Sequence, residues 1–250
     1  MKQLIAFDLD GTLAESKQPI EPDMAALLAG LLDVAHVAVI SGGDWPQFEK
    51  QVVGRLPGEA NLSHLWILPT TGAKLYRRGD GGAWRRLYGD DFTADERARI
   101  LAAVDRAITA AGLTAERTWG EQIEDRGTQF TFSALGQEAP LDAKKAWDPD
   151  MAKRKALQAA LVGVLPDLSV KIGGSTSIDI TRQGVDKGWG LNRLAEQSGI
   201  PLADMIFLGD AVFPGGNDYP AQQAGVDTVA VRDVAESRAV IRAITLCLGG

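Results

Sequence analysis

Near the start of the chain, the apolar run Leu4-Ile5-Ala6-Phe7 leads straight into Asp8-Leu9-Asp10-Gly11-Thr12-Leu13. The run reads as a buried strand, and residues two apart on an extended chain point the same way. Two carboxylates are thus presented together at a strand's carboxyl end, where open α/β sheets bind their ligands. The alternative is a strand followed by an ordinary Asp-Gly turn.

The flanking pattern favours such a sheet. Gln3–Leu9, Val37–Ile40 and Leu65–Leu68 read as strands, separated by helical spacing over Pro22–Leu32 and Trp45–Leu56. This βαβαβ order implies parallel strands. The rhythm then changes. Ala73–Tyr88 reads as a hairpin around Gly79-Asp80-Gly81-Gly82, Thr93–Ala111 and Pro149–Val164 as helices, and Gln129–Ala134, Ser169–Ile172 and Ser177–Thr181 as strands. From Lys187 the α/β alternation returns: a helix over Gly188–Gln197, strands at Met205–Leu208 and Val226–Val231, and a helix over Val234–Leu248. The expected architecture is an α/β, doubly wound parallel sheet formed by residues 1–83 and 185–250, with an α+β domain inserted at 84–184.

Charge and cysteine usage narrow the partners. A net charge of −7 argues against nucleic acid and against an anionic membrane surface. The single cysteine, Cys247, forms no internal disulfide and fits a reducing compartment. The first apolar run is broken by Asp8, so no signal peptide is expected, and a cytoplasmic monomer or homodimer acting on a small molecule is. The two histidines, His36 and His64, have no serine or cysteine partner at a recognisable spacing, which disfavours a hydrolytic triad.

Four elements carry chemistry. A carboxylate such as Asp8 can attack phosphorus, and a neighbouring acid such as Asp10 can give a proton to the leaving oxygen and later take one from water. Ser41, which ends Val37-Ala38-Val39-Ile40, either caps the next helix or holds phosphoryl oxygens together with following N–H groups, Gly42 among them. Lys187, in Gly184-Val185-Asp186-Lys187-Gly188, is either a solvated surface residue or a cation at a helix start, where it makes an anion site. Ile206-Phe207-Leu208-Gly209-Asp210 is a second apolar run ending in an acid, followed by a Pro214-Gly215-Gly216 turn and Asn217-Asp218. Asp8 and Asp210 from two strand ends make a hard oxygen site suited to Mg²⁺.

Taken in order, these four elements resemble the four motifs of the haloacid dehalogenase superfamily of phosphoryl-transfer enzymes, over nearly the whole chain, and the inserted module resembles the cap domain of that superfamily. A closer resemblance is to eukaryotic-type phosphomannomutases. It rests on Gly209-Asp210 with Pro214-Gly215-Gly216-Asn217-Asp218, and on Gly173-Gly174-Ser175-Thr176-Ser177-Ile178-Asp179 before Gly184-Val185-Asp186-Lys187. The resemblance implies a Rossmann-like core and a Mg²⁺ held by Asp8, Asp10, Asp210, Asn217 and Asp218. It also implies sugar-hydroxyl contacts from Ser177 and Asp179, a phosphate contact from Arg126 in Arg126-Gly127-Thr128, and a basic residue near the first motif at Lys17.

One departure bears on the reaction. Where that family's cap strand ends in Ser-Pro-Ile-Gly-Arg, this chain has Ser133-Ala134-Leu135-Gly136-Gln137. A mutase must grip a bisphosphorylated sugar in two orientations, and an arginine fork does this where glutamine does not. The expectation is a Mg²⁺-dependent phosphatase acting on a small phosphate ester, a sugar phosphate above all, through an aspartyl phosphate on Asp8. The alternatives are a phosphomannomutase or phosphoglucomutase using a hexose bisphosphate activator, for which Arg126, Lys144 and Lys145 supply cations, and a non-catalytic sugar-phosphate-binding protein.

Overall fold

The structure, a computed structural model, describes residues 1–79, 81–114 and 117–249. It divides into two units, one of residues 1–89 and 185–250 and one of residues 90–184.

The first unit is built on a seven-stranded sheet. Its strands are β1 (Leu4–Phe7), β2 (His36–Ile40), β3 (Leu65–Leu68), β4 (Lys74–Arg78), β5 (Trp84–Gly89), β10 (Met205–Gly209) and β11 (Asp227–Ala230), in spatial order β11-β10-β1-β2-β3-β4-β5. The first five in that order run parallel, and β4 and β5 close the far edge as an antiparallel hairpin. Side chains of the central strands alternate between two cores. Ile5, Phe7, Val37, Val39, Leu65 and Ile67 pack on one face, and Leu4, Ala6, Ala38, Ile40, Trp66 and Leu68 on the other. Burial on both faces is why these strands read as continuous apolar runs rather than as alternating ones.

Helices α1 (Pro22–Val34), α2 (Trp45–Gln51) and α8 (Val234–Leu248) supply the first core, and α6 (Lys187–Ser198) and α7 (Tyr219–Gln223) the second. The helix expected to run to Leu56 stops at Gln51 and gives way to a 3-10 turn at Val53–Arg55. Two successive β-branched residues, Val52 and Val53, followed by Gly54 weaken the helix there. The hairpin boundary also shifts. β5 pairs with β4 throughout, so the first unit extends to residue 89 and not 83. Asp80, in the expected hairpin turn, lies outside the described residues.

The second unit is an antiparallel sheet in the order β6-β7-β9-β8, formed by β6 (Ile123–Asp125), β7 (Gln129–Ser133), β8 (Leu168–Ile172) and β9 (Ser177–Arg182). Phe130, Phe132, Ile178, Ile180, Leu168 and Val170 pack against Ile100, Val104 and Leu157, Leu161 of α3 (Ala94–Ala110) and α5 (Ala152–Val164). The alternate residues, including Gln129, Thr131, Ser177 and Asp179, therefore fall on the opposite face. β6, the short α4 (Leu141–Trp147) and α7 carry too little periodicity to be read from sequence. Helix α5 starts at Ala152 and not Pro149: Met151 at its N-cap is left-handed, and Asp148, three residues earlier, accepts the Lys153 and Arg154 N–H groups of the first turn at 3.0 Å each.

Helix α3 begins with a capping box in which Thr93 and Glu96 exchange hydrogen bonds. Arg182 also donates to Glu96, at 2.7 Å, and with Thr93 holds its pKa down at about 2, against an ordinary 4.5. A carboxylate depressed on folding contributes stability above its unfolded value and loses it as pH falls through the folded one. The urea midpoint of the wild-type protein is therefore expected to exceed that of Glu96→Gln at neutral pH, and the difference to vanish as pH falls from about 4.5 to about 2. A difference that persists at the acid end would assign the effect to packing. Among the described residues, no helix is long and apolar enough to cross a membrane.

Candidate active site

Parallel register lines up the carboxyl ends of the central strands. Phe7 pairs with Val39 on one side and Leu208 on the other, and Ile40 pairs with Leu68. Asp8 after β1, Ser41 after β2, Pro69 after β3 and Asp210 after β10 therefore emerge along one edge of the sheet. Between β1 and β10 the chain order reverses, which makes this edge the position where open α/β sheets bind ligands.

Asp8 is 4% exposed, and its Oδ1 accepts a hydrogen bond from Lys187 Nζ. Lys187 opens α6 behind its N-cap Asp186, whose carboxylate accepts the Trp189 N–H at 2.9 Å. It is 1% exposed, so the solvated-lysine alternative does not hold. Its ammonium also donates to Asp218 Oδ1 at 2.5 Å, and the other oxygen of Asp218 accepts the Ala211 N–H at 3.0 Å. Asp218 thus binds the lysine and closes the loop that leaves Asp210. Carboxylate oxygens of Asp8, Asp210 and Asp218 lie within 4.8 Å of one another. The chain makes room for them. Gly11 has φ 92°, and a Cβ there would stand 2.5 Å from Asp210 Oδ2, so both the backbone and the space require glycine.

Burial sets the electrostatics. Desolvation pushes Asp8 up to about 6, Lys187 pulls against it, and the charge of Asp218 adds to the rise. Burial likewise works to lower Lys187, but the two carboxylates outweigh it and hold the lysine above its ordinary value. Desolvation and then Asp218 raise Asp210. Three acids around one ammonium leave an excess of negative charge, and their hard oxygens fit a divalent cation such as Mg²⁺.

Asp10 is half-exposed, and its Oδ1 accepts the backbone N–H of Lys17 at 2.6 Å. The contact comes from the amide of Lys17, while its side chain is exposed. Ser41 is buried and donates its N–H to Leu68 O at 3.3 Å. It does not cap α2. Asp44 does, accepting the Trp45 N–H and Lys74 Nζ at 2.7 Å each. Gly42 follows Ser41 half-buried, and Asn217 is exposed beside the buried Asp218.

In the second unit, Asp179 Oδ1 accepts from Thr131 Oγ1 at 2.7 Å and from Gln129 Nε2 at 3.1 Å. Desolvation raises its pKa, and these donors and Arg126 pull it back. Ser177 lies half-buried on the same strand, opposite Ser133. Arg126 donates to Glu124 Oε2 at 2.7 Å. Gln137 directs its side-chain amide at Thr131 O, 3.5 Å away, and its backbone carbonyl accepts from Lys144 Nζ at 2.8 Å. Sequence reasoning did not assign Thr131 and Gln129 a place; their signal was the alternation Gln-Phe-Thr-Phe, which puts both on the polar face beside Asp179.

Comparison with known proteins gives one family and one fold. A family model described as eukaryotic phosphomannomutase matches residues 24–243. A phosphomannomutase of Schizosaccharomyces pombe is 26% identical over 229 residues, covering 87% of this chain and 84% of that one. Among solved structures, the Plasmodium falciparum IMP-nucleotidase superposes with a TM-score of 0.72 at 15% identity, covering 99% of this chain and 69% of that one. A haloacid dehalogenase-like hydrolase from Bacteroides thetaiotaomicron superposes with a TM-score of 0.65 at 15% identity, covering 98% of this chain and all of the other.

Proposed function

The chain belongs to the eukaryotic phosphomannomutase family, and we propose that it takes a phosphoryl group from a small sugar phosphate onto Asp8 and delivers it to water. The observation that carries this reading is the fully buried Lys187, held charged between Asp8 and Asp218 at the sheet's switch point. Such a cation offsets the charge of an incoming phosphoryl group and of the carboxylate that attacks it.

In the first half-reaction a carboxylate oxygen of Asp8 bonds to phosphorus, the ester bond breaks, and the departing alkoxide takes a proton from Asp10. In the second, water gives a proton to Asp10 and attacks the same phosphorus, releasing phosphate and restoring Asp8. The Lys17 amide holds one oxygen of Asp10 and leaves the other for the proton. Ser41 and the Gly42 N–H hold phosphoryl oxygens, and Lys187 balances the charge. Asp8, Asp210 and the backbone carbonyl of Asp10 would hold a Mg²⁺ ion, which neutralises the phosphoryl oxygens when bound. Asp218, with both oxygens engaged, is the anchor of Lys187. Recognition of the sugar falls to Arg126, Ser177 and Asp179, with Lys17 as a further cation.

Gln137 favours water as the acceptor, since its amide offers no fork for a second phosphate. A mutase is the second reading. Family membership favours it, and so does Lys144, whose ammonium sits on the Gln137 carbonyl and gives that position a cation. The test supplies hexose 1-phosphate and Mg²⁺ with and without a hexose 1,6-bisphosphate. Phosphate release exceeding isomerisation under both conditions is expected. Activator-dependent isomerisation faster than phosphate release would make the chain a mutase. Tight binding without turnover across a broad ester panel would make it a binding protein.

A further inference from the structure

The turn after β3 carries backbone strain that the roles above do not use. Thr70 and Thr71 both have positive φ, 50° and 58°. For β-branched residues this region is a genuine outlier, because the branched Cβ crowds the neighbouring carbonyl. Such strain persists only where the surroundings over-determine it, and it clusters at functional sites. Here the surroundings are the Ser41 loop itself. Thr71 donates its N–H to Ser41 O and Thr70 donates its N–H to Gly43 O, both at 2.8 Å, while Tyr88 Oη fixes the following carbonyl, of Gly72, at 2.7 Å.

These bonds seat the Thr71 side chain over Gly42. A Cβ built on Gly42 would stand 3.8 Å from Thr71 Oγ1, with nothing nearer. Thr71 is half-buried, and among the described residues its hydroxyl has no protein partner. Glycine or asparagine would meet the backbone demand of the turn at lower cost. Threonine adds a hydroxyl on a side chain that is stiff at χ1.

We infer that Thr71 is a further ligand of the transferring phosphoryl group, its hydroxyl donating to a phosphoryl oxygen beside Ser41 and Gly42. The inference rests on the phosphoryl-transfer reading of the site and adds a contact from the third strand of the sheet, two strands away from the nucleophile. The left-handed turn is the device that carries the hydroxyl back over the Ser41 loop.

Two variants of the full-length protein test it. Thr71→Val keeps the branched shape and removes the hydroxyl, and Thr71→Ser keeps the hydroxyl and removes the branch. Inorganic phosphate affinity is measured calorimetrically with Mg²⁺ present, alongside kcat and KM for p-nitrophenyl phosphate and the thermal midpoint. Thr71→Val is expected to weaken phosphate binding and kcat/KM by about tenfold or more, and Thr71→Ser to stay within about twofold of wild type, both with unchanged midpoints. Wild-type affinity and turnover in Thr71→Val would overturn the inference. So would equal losses in both variants, which would assign the turn a purely structural task. A wild-type protein that turns over no phosphate ester would instead overturn the phosphoryl-transfer reading, and the phosphate titration would still decide for or against Thr71.

Discussion

An Asp8→Asn protein is expected to fold, to bind its phosphate ester and to lose turnover by at least about 10⁴-fold. The side chain keeps its size in a site where Asp8 is almost fully buried, so packing is preserved. The amide has no anionic oxygen to attack phosphorus, and none of the other cluster acids can replace it. Asp218 has both oxygens engaged, and Asp210 starts from the neighbouring strand. Lys187 keeps Asp218 as a partner, so the ammonium is not orphaned by the change. The measurement is phosphate release with Mg²⁺, together with acid-quenched mass spectrometry for an acyl phosphate on the peptide containing residue 8. The adduct is expected in wild type and not in the variant. Wild-type turnover in Asp8→Asn would overturn the mechanism outright.

Lys187→Met is expected to damage both stability and catalysis. Removing the ammonium leaves Asp8 and Asp218 facing one another in a site that neither shares with bulk water. Breaking a buried ion pair from one side costs about 3–5 kcal/mol, a large share of the stability of an ordinary domain. The sign with pH follows from the carboxylates left behind. Without the lysine the pKa of Asp8, already raised by burial, rises further, so the deficit is largest near neutrality and shrinks as acid protonates Asp8. Mg²⁺ is expected to recover part of the lost midpoint by supplying positive charge at the same place. Turnover is expected to fall by about 10²–10³-fold even when the folded fraction is restored. A variant whose midpoint matches wild type at neutral pH would show that the ammonium does not balance these acids.

Much of the core was legible because its strands obey a simple rule. β1 and β3 are apolar at every position, and β2 at every position after His36, because helices cover both faces, and each ends abruptly in a polar turn. The same abrupt endings singled out Asp8, Ser41 and Asp210 as residues at the carboxyl ends of strands. Other features depend on contacts between distant residues. Asp218 and Asp210 looked equivalent as acids after one strand, and only the structure separates them, since Asp218 is spent on Lys187 and on the Ala211 amide. Lys17 suggested a side-chain role, whereas its amide makes the contact that orients Asp10. Thr70 and Thr71 were invisible for a physical reason. Local preference argues against left-handed threonines, and places where local preference fails are those where tertiary demands have overridden it. The short strand β6 and helices α4 and α7 offer too few residues for any period to emerge.

The placement of β1 at the centre of the five parallel strands has a consequence for how the chain reaches its native state. One partner strand, β2, follows within about thirty residues of chain, a short loop to close. The other, β10, begins only at Met205, after the whole inserted unit has been made. Until then the middle one of the five parallel strands is an outer one. Its open side shows unpaired amides and carbonyls on an apolar tetrapeptide, with no lysine, proline or bulge to deter pairing with another chain. On a ribosome adding roughly 5–20 residues per second, that interval lasts about ten seconds or more. The same arrangement that brings Asp8 to the middle of the parallel strands thus leaves the nascent protein most prone to self-association during that interval, and makes chaperone protection matter most before its last fifth has emerged.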